Sequence, residues 1–145
     1  MYGKSKFIGE VLVSVNTITL RTSIIGHEIN SQHSLVDWFL AQQGSVKGYT
    51  KAIFSGLPTV ELARVIRDPV LTEPQLSGLY HVSVAPIDKC SLLKLVAATY
   101  GKDIQINEDT QVQIDRSLDS SKFRGATGYQ PPSWKLLIES MRDFK

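Results

Sequence analysis

Stretches with strand chemistry alternate along this chain with stretches of helical periodicity. That alternation restricts it to an α/β fold, because crossovers through helices return each strand in the same direction as the last. Residues 17–25, Thr17-Ile18-Thr19-Leu20-Arg21-Thr22-Ser23-Ile24-Ile25, alternate apolar or β-branched with polar side chains and read as one strand ending at Gly26. A second strand is expected over Gly78–Val84, bounded by glycine and Pro86, and a short one over Ile104–Ile106. Between them the spacing predicts a helix over residues 2–14 that buries Phe7, Ile8, Val11 and Leu12, and another over 34–43 ended by Gly44. Thr59 reads as the N-cap of a helix that Asp68-Pro69 stops. Asp88 caps a helix closing at Gly101, and Ser133 caps the last one, with Trp134, Leu137, Ile138 and Met141 on its buried face. The segment Val46–Gly56 is short-strand material broken by glycines or an irregular solvated connection, and residues 112–124 read as a loose loop with little to offer a core.

Composition bounds the partners. With 145 residues, 42% hydrophobic and 21% charged, the chain suits a single domain. Its formal charge of +2 comes from interspersed residues, which gives no footprint for nucleic acid or a membrane surface. Cys90 is the single cysteine, so no internal disulfide can form, and no Cys or His stands near it at metal-ligand spacing. A reduced, cytoplasmic setting is the expectation, in keeping with the lack of a membrane-length apolar run or a signal-peptide pattern.

Four groups of residues could carry chemistry. On a helix, Tyr2 and Lys6 stand one turn apart on the same face, with Glu10 a turn further, and a nearby ammonium stabilises a phenolate. Taken alone, this pair is more simply an ordinary surface helix. His27 and Asn30 fall in a polar loop just beyond a strand's carboxyl end, where open α/β sheets bind ligands; an exposed loop histidine is the plainer alternative. Lys47, Tyr49 and Lys51 could reach a polyanionic or sugar ligand, and Arg116, Lys122 and Arg124 a diphosphate, unless both segments are simply solvated.

Taken together, Tyr2-Gly3-Lys4-Ser5-Lys6 with Gly9-Glu10, then Leu20–Gly26, resemble the Tyr-x-x-x-Lys helix and next strand of the extended short-chain dehydrogenase/reductases. Gly78–Val82, Arg116–Lys122 and Gly128–Trp134 are similar to the sugar-nucleotide-binding half of the dTDP-4-dehydrorhamnose reductase-like members, and the resemblance spans essentially the whole chain. It implies the C-terminal part of a Rossmann-like α/β enzyme, with a few mostly parallel strands and the N-terminal dinucleotide-binding half absent. Tyr2 would donate a proton to a 4-keto nucleotide sugar, and Lys6 would lower the phenol's pKa and bind the ribose of NADP or NAD. Thr22, Ser23 and Ile24 would lie beside the nicotinamide, and His27, Asn30, Lys47, Tyr49 and Arg116 would face the nucleotide sugar.

The departures are specific. The chain holds no glycine-rich dinucleotide turn, and Ile24 stands where the rhamnose-pathway enzymes usually carry an aromatic. The chain is therefore expected to be silent until a second chain supplies the glycine-rich half, whether it is a truncated gene product or one half of a split enzyme. Two other readings stay open: a non-catalytic nucleotide-sugar-binding or assembly module, and an epimerase or dehydratase on the same scaffold. A homodimer through the Tyr2 helix and the helix at 34–43 is compatible with the broad apolar face of the latter.

Overall fold

A computed structural model describes residues 2–10, 17–29 and 33–144, apart from the side chains of Tyr2 and Ser5. Helix α1 (Tyr2–Ile8) leads through a turn at Gly9 toward strand β1 (Ile18–Arg21). The helix expected over 2–14 is thus described only to Ile8, with residues 11–16 outside the described residues. The single strand expected over 17–25 is two, because Thr22 and Ser23 break it before β2 (Ile24–Ile25) and the pieces join different sheets. Strand β1 pairs with β5 (Gly78–His81) and β2 with β4 (Leu57–Pro58), both parallel.

The third sheet corrects the sequence reading most. Residues 45–54 form one long strand, β3 (Ser45–Phe54), and it pairs in parallel with β7 (Gln105–Arg116), a segment read mainly as loop. A short antiparallel strand, β6 (Ile87–Asp88), lies on the other edge of β3. Gly48 sits mid-strand because nothing larger fits: a Cβ there would lie 2.7 Å from Cys90 Sγ and 2.7 Å from Ile106 Cγ2. This close approach seats α4 (Lys89–Tyr100) on the sheet and leaves Cys90 buried with a free thiol.

The remaining helices are α2 (Leu35–Ala41), α3 (Thr59–Val65), α5 (Ser121–Thr127) and α6 (Trp134–Asp143). Asp88 and Ser133 cap α4 and α6 as expected, and Ser34, expected within its helix, caps α2 instead; each accepts from the amide three residues on. Thr59 does not cap α3; Pro58 holds the cap position and Thr59 begins the helix, its hydroxyl against Gly26. Nor does Asp68-Pro69 stop that helix. A π turn over Ile66–Val70 takes Pro69 into the helical path, the widened turn accommodating a residue that has no amide to give.

Two buried clusters make the interior. One gathers Val36 and Phe39 of α2, Leu92, Leu93 and Val96 of α4, and Ile138 and Met141 of α6. The other gathers Leu57, Val65, Tyr80, Val82, Val84, Phe123 and Leu137. Helix α6 supplies both, and Trp134 packs against each while donating to Ala85 O at 2.7 Å. Phe123, in a segment expected to offer few core residues, is fully buried at the centre of the second cluster, flanked edge-on by Tyr80 and Tyr129.

Candidate active site

An open cleft of about 760 Å³ lies at the carboxyl end of β1. Its walls include Lys6, Phe7 and Glu10 from the α1 segment, Thr19 to Ile24 from β1 and the turn after it, and Leu62 and Leu118 from across the fold. Parallel sheets present such crevices at strand carboxyl ends, where loops diverge.

The helix carrying Tyr2 and Lys6 is anchored by an ion pair. Arg21 of β1 grips Glu10 with two parallel bonds, Nε to Oε1 and Nη2 to Oε2, each 2.6 Å. This fork geometry fixes orientation as well as distance. The bond from Arg21 holds the Glu10 carboxyl below the usual carboxylate range and raises the guanidinium in turn. Lys6 therefore reaches the cleft from a braced helix, whereas the Tyr2 side chain lies outside the described positions.

The far wall is set by backbone contact. Leu57 N donates to Ser23 O at 2.9 Å, and Gly56 passes so close that a Cβ would sit 2.1 Å from that oxygen. Leu118 is held by both of its peptide groups: its amide donates to Ser55 Oγ at 2.8 Å, and its carbonyl accepts from Ser83 Oγ at 2.7 Å. Ser120 Oγ and Arg124 Nη2 both donate to Ser83 O at 3.2 Å. Buried Ser55, Ser83 and Ser120 thus close the loop after β7 onto the cleft, two residues beyond Arg116. No periodicity marks these serines, and only the glycine in Ser55-Gly56-Leu57-Pro58 hints at a close approach.

Of the residues expected at the site, the cleft brings together Lys6, Thr22, Ser23 and Ile24. Ile24 also borders a smaller pocket of about 240 Å³ that His27 lines. His27 has both ring nitrogens engaged, Nδ1 donating to Asp37 Oδ1 at 2.6 Å and Nε2 bonded to Tyr100 OH at 2.8 Å. Burial, with the Asp37 charge adding to it, pushes the Tyr100 phenol up to about 12. Lys47 lies on the outer side of β3, paired with Asp109 Oδ2 at 3.1 Å, with Tyr49 two residues further along the same strand face. Arg116 is exposed at the end of β7, and Asn30 lies outside the described residues. Lys122 and Arg124, read as companions to Arg116, are occupied elsewhere: Lys122 caps Leu79 O and lies 4.2 Å above the Tyr80 ring, and Arg124 bonds Ser83 O.

Among the described residues, no group of three or more His, Cys, Asp or Glu side chains is placed to hold a metal ion, and no helix is long and apolar enough to cross a membrane. The glycines with positive φ are Gly44, Gly78, Gly101 and Gly128; none of them leads a strand into the N-terminus of a helix, as a dinucleotide-phosphate turn requires.

No protein-family model matches the sequence, and no curated protein matches it. Solved structures do. Dehydrorhamnose reductase from Bacillus anthracis, crystallised with NADP and described as a dTDP-4-dehydrorhamnose reductase, superposes with a TM-score of 0.76 at 17% identity, over 99% of this chain and 52% of that one. This chain has the fold of the extended short-chain dehydrogenase/reductases over about half their length. The Clostridium acetobutylicum dTDP-4-dehydrorhamnose reductase gives 0.70 at 17% identity over 88% of this chain and 48% of its own. UDP-N-acetylglucosamine 4-epimerase from Bacillus cereus gives 0.68 at 14% identity, over 88% and 47%.

Proposed function

We propose that this chain is the substrate-binding half of an NAD(P)-dependent reductase of 4-keto nucleotide sugars. The observation that carries the reading is the cleft itself, where Lys6 on a braced helix faces Thr22, Ser23 and Ile24 at the carboxyl end of a parallel strand. Tyr2, one turn before Lys6, would donate its phenolic proton to the substrate carbonyl oxygen. The Lys6 ammonium would ease that donation by favouring the phenolate and would hold the cofactor ribose. When bound, the nicotinamide supplies the hydride.

The donors present suit only part of the dinucleotide. A lysine and two hydroxyl residues fit the ribose and nicotinamide end, whereas no described glycine turn offers a pyrophosphate cradle. Arg116, exposed beside the Leu118 loop, is the residue proposed to meet the substrate diphosphate, with Lys47 and Tyr49 further out along β3. His27 and Asn30 would border the sugar side, His27 by shaping the smaller pocket while its nitrogens remain bonded within the protein.

Calorimetric titration with dTDP and dTDP-glucose, followed by NADPH oxidation assays with a glycine-rich half supplied, tests the proposal. Binding should weaken about tenfold in Arg116→Ala, as loss of one charge-assisted bond implies. Tyr2→Phe should keep binding and lose turnover by roughly 10²–10⁴-fold. Binding without turnover would mark a non-catalytic module, and absence of binding would overturn the reading altogether.

A further inference from the structure

Ile24 is the one residue common to the linings of two cavities, the cleft of about 760 Å³ and the pocket of about 240 Å³. Its side chain is 52% exposed, whereas Ile25 after it is buried, as alternation along β2 requires. The parallel pairing of β2 with β4 sets Ile25 opposite Pro58, and the next residue, Thr59, closes on Gly26: a Cβ there would lie 2.7 Å from Thr59 Oγ1. Thr59 thus joins Ile24 and Ile25 in the pocket wall, and Leu35 of α2 completes its apolar part.

Hydrogen bonds made within the protein fix the shape of this pocket. Asp37 accepts from the His27 ring, the Glu28 amide and the Ser34 hydroxyl, and the other His27 nitrogen is bonded to Tyr100. His27, Glu28 and Ser34 all line the pocket, so their positions are set before any ligand arrives. The same bonds occupy the polar atoms of His27 and Ser34. What the lining offers a ligand is branched aliphatic carbon from Ile24, Ile25 and Leu35, the Thr59 hydroxyl and the Glu28 carboxylate.

That lining discriminates between chemical groups. It holds no lysine or arginine, and the Glu28 carboxylate repels an anion, which sets aside phosphate and carboxylate. A bare hydroxyl would leave three aliphatic side chains without a partner. A short acylamino group meets both demands, its methyl against the aliphatic carbon and its carbonyl accepting from the Thr59 hydroxyl. At about 240 Å³ the pocket is smaller than a whole small-molecule site, usually about 300–1,000 Å³, and suits a substituent reaching over from the cleft. We propose that it takes an acetamido group on the sugar, which narrows the substrate class to 4-keto nucleotide sugars carrying a 2-acetamido substituent, with Ile24 as the residue that sets the preference. The inference rests on the functional reading above and adds the substituent to it.

Calorimetric titration of the full chain with glucose and 2-acetamido-2-deoxyglucose, each carried on both UDP and dTDP, tests it. On whichever nucleotide binds, the acetamido sugar should bind at least about tenfold tighter, as one buried methyl and one hydrogen bond together imply. Isotope-filtered NMR should place the acetyl methyl against the methyls of Ile25, Leu35 and Thr59. Leu35→Phe and Ile24→Trp, which fill the pocket from α2 and from β2, should bring the ratio of affinities to about one. Thr59→Val, at an exposed position, removes only the hydroxyl and should lower the ratio roughly fivefold, so the test survives a Leu35→Phe chain that fails to fold. Three results overturn the proposal while the functional reading stands: equal or weaker affinity for the acetamido sugar, a preference unchanged in these variants, or an acetyl methyl that contacts other residues. Binding of none of the four compounds removes the functional reading and the proposal together.

Discussion

Gly56 has no room for any side chain. A Cβ at this position would lie 2.1 Å from Ser23 O and 2.4 Å from Phe54 Cζ, and the Ser23 carbonyl cannot retreat without losing its bond from Leu57 N. Gly56→Ala should therefore destabilise by about 1–3 kcal/mol, read from urea midpoints, and displace the cleft wall at Ser23 and Ile24. Asp37 makes a different kind of prediction. Burial pushes its carboxyl up, but bonds from the His27 ring, the Glu28 amide and the Ser34 hydroxyl outweigh that and hold it below its ordinary 3.8. A depressed carboxylate stabilises fully above its unfolded pKa and loses that contribution as pH falls through the folded value. Urea midpoints of the wild type should thus fall as pH drops below about 3.8, and Asp37→Asn should flatten that acid limb while lowering the midpoint at neutral pH. At this scale the sequence was informative about residue type and silent about partners. His27 was legible as a polar loop residue, but Asp37 and Tyr100 reach it from 10 and 73 residues away.

Among the elements, the loop after β7 depends on three buried serines. Ser83→Ala would strand the Leu118 carbonyl and Ser55→Ala its amide, and an unsatisfied buried group costs about 1–3 kcal/mol. The Leu118 amide should exchange markedly faster in Ser55→Ala than in the wild type, because the substitution removes its acceptor. Strand β7 itself was hidden from sequence reading for a physical reason. Most of its residues are exposed, so the apolar alternation that betrays a half-buried strand is missing, and the ladder to β3 supplies the order instead. Helix α5 was hidden by its shortness and by a single core residue, Phe123. The caps at Asp88 and Ser133 were legible, because a side chain that bonds an amide three residues on is a local matter.

For the whole molecule, α6 makes one folding unit of two clusters, with Leu137 in one and Ile138 and Met141 in the other. Leu137→Ala should cost about 2–5 kcal/mol. Unfolding followed by tryptophan fluorescence and by circular dichroism should remain a single coincident transition, since no cluster lacks α6 side chains. The alternation of helix and strand, the parallel pairing it implies and the Tyr2 and Lys6 spacing were all present in the sequence, because periodicity and short-range geometry are local properties. Tertiary structure alone decided that Lys6 meets Thr22, Ser23 and Ile24 across a cleft and that Lys122 and Arg124 serve the fold. Those outcomes depend on which distant segments compete for the same backbone and side-chain groups, and that competition is resolved only when the whole chain packs.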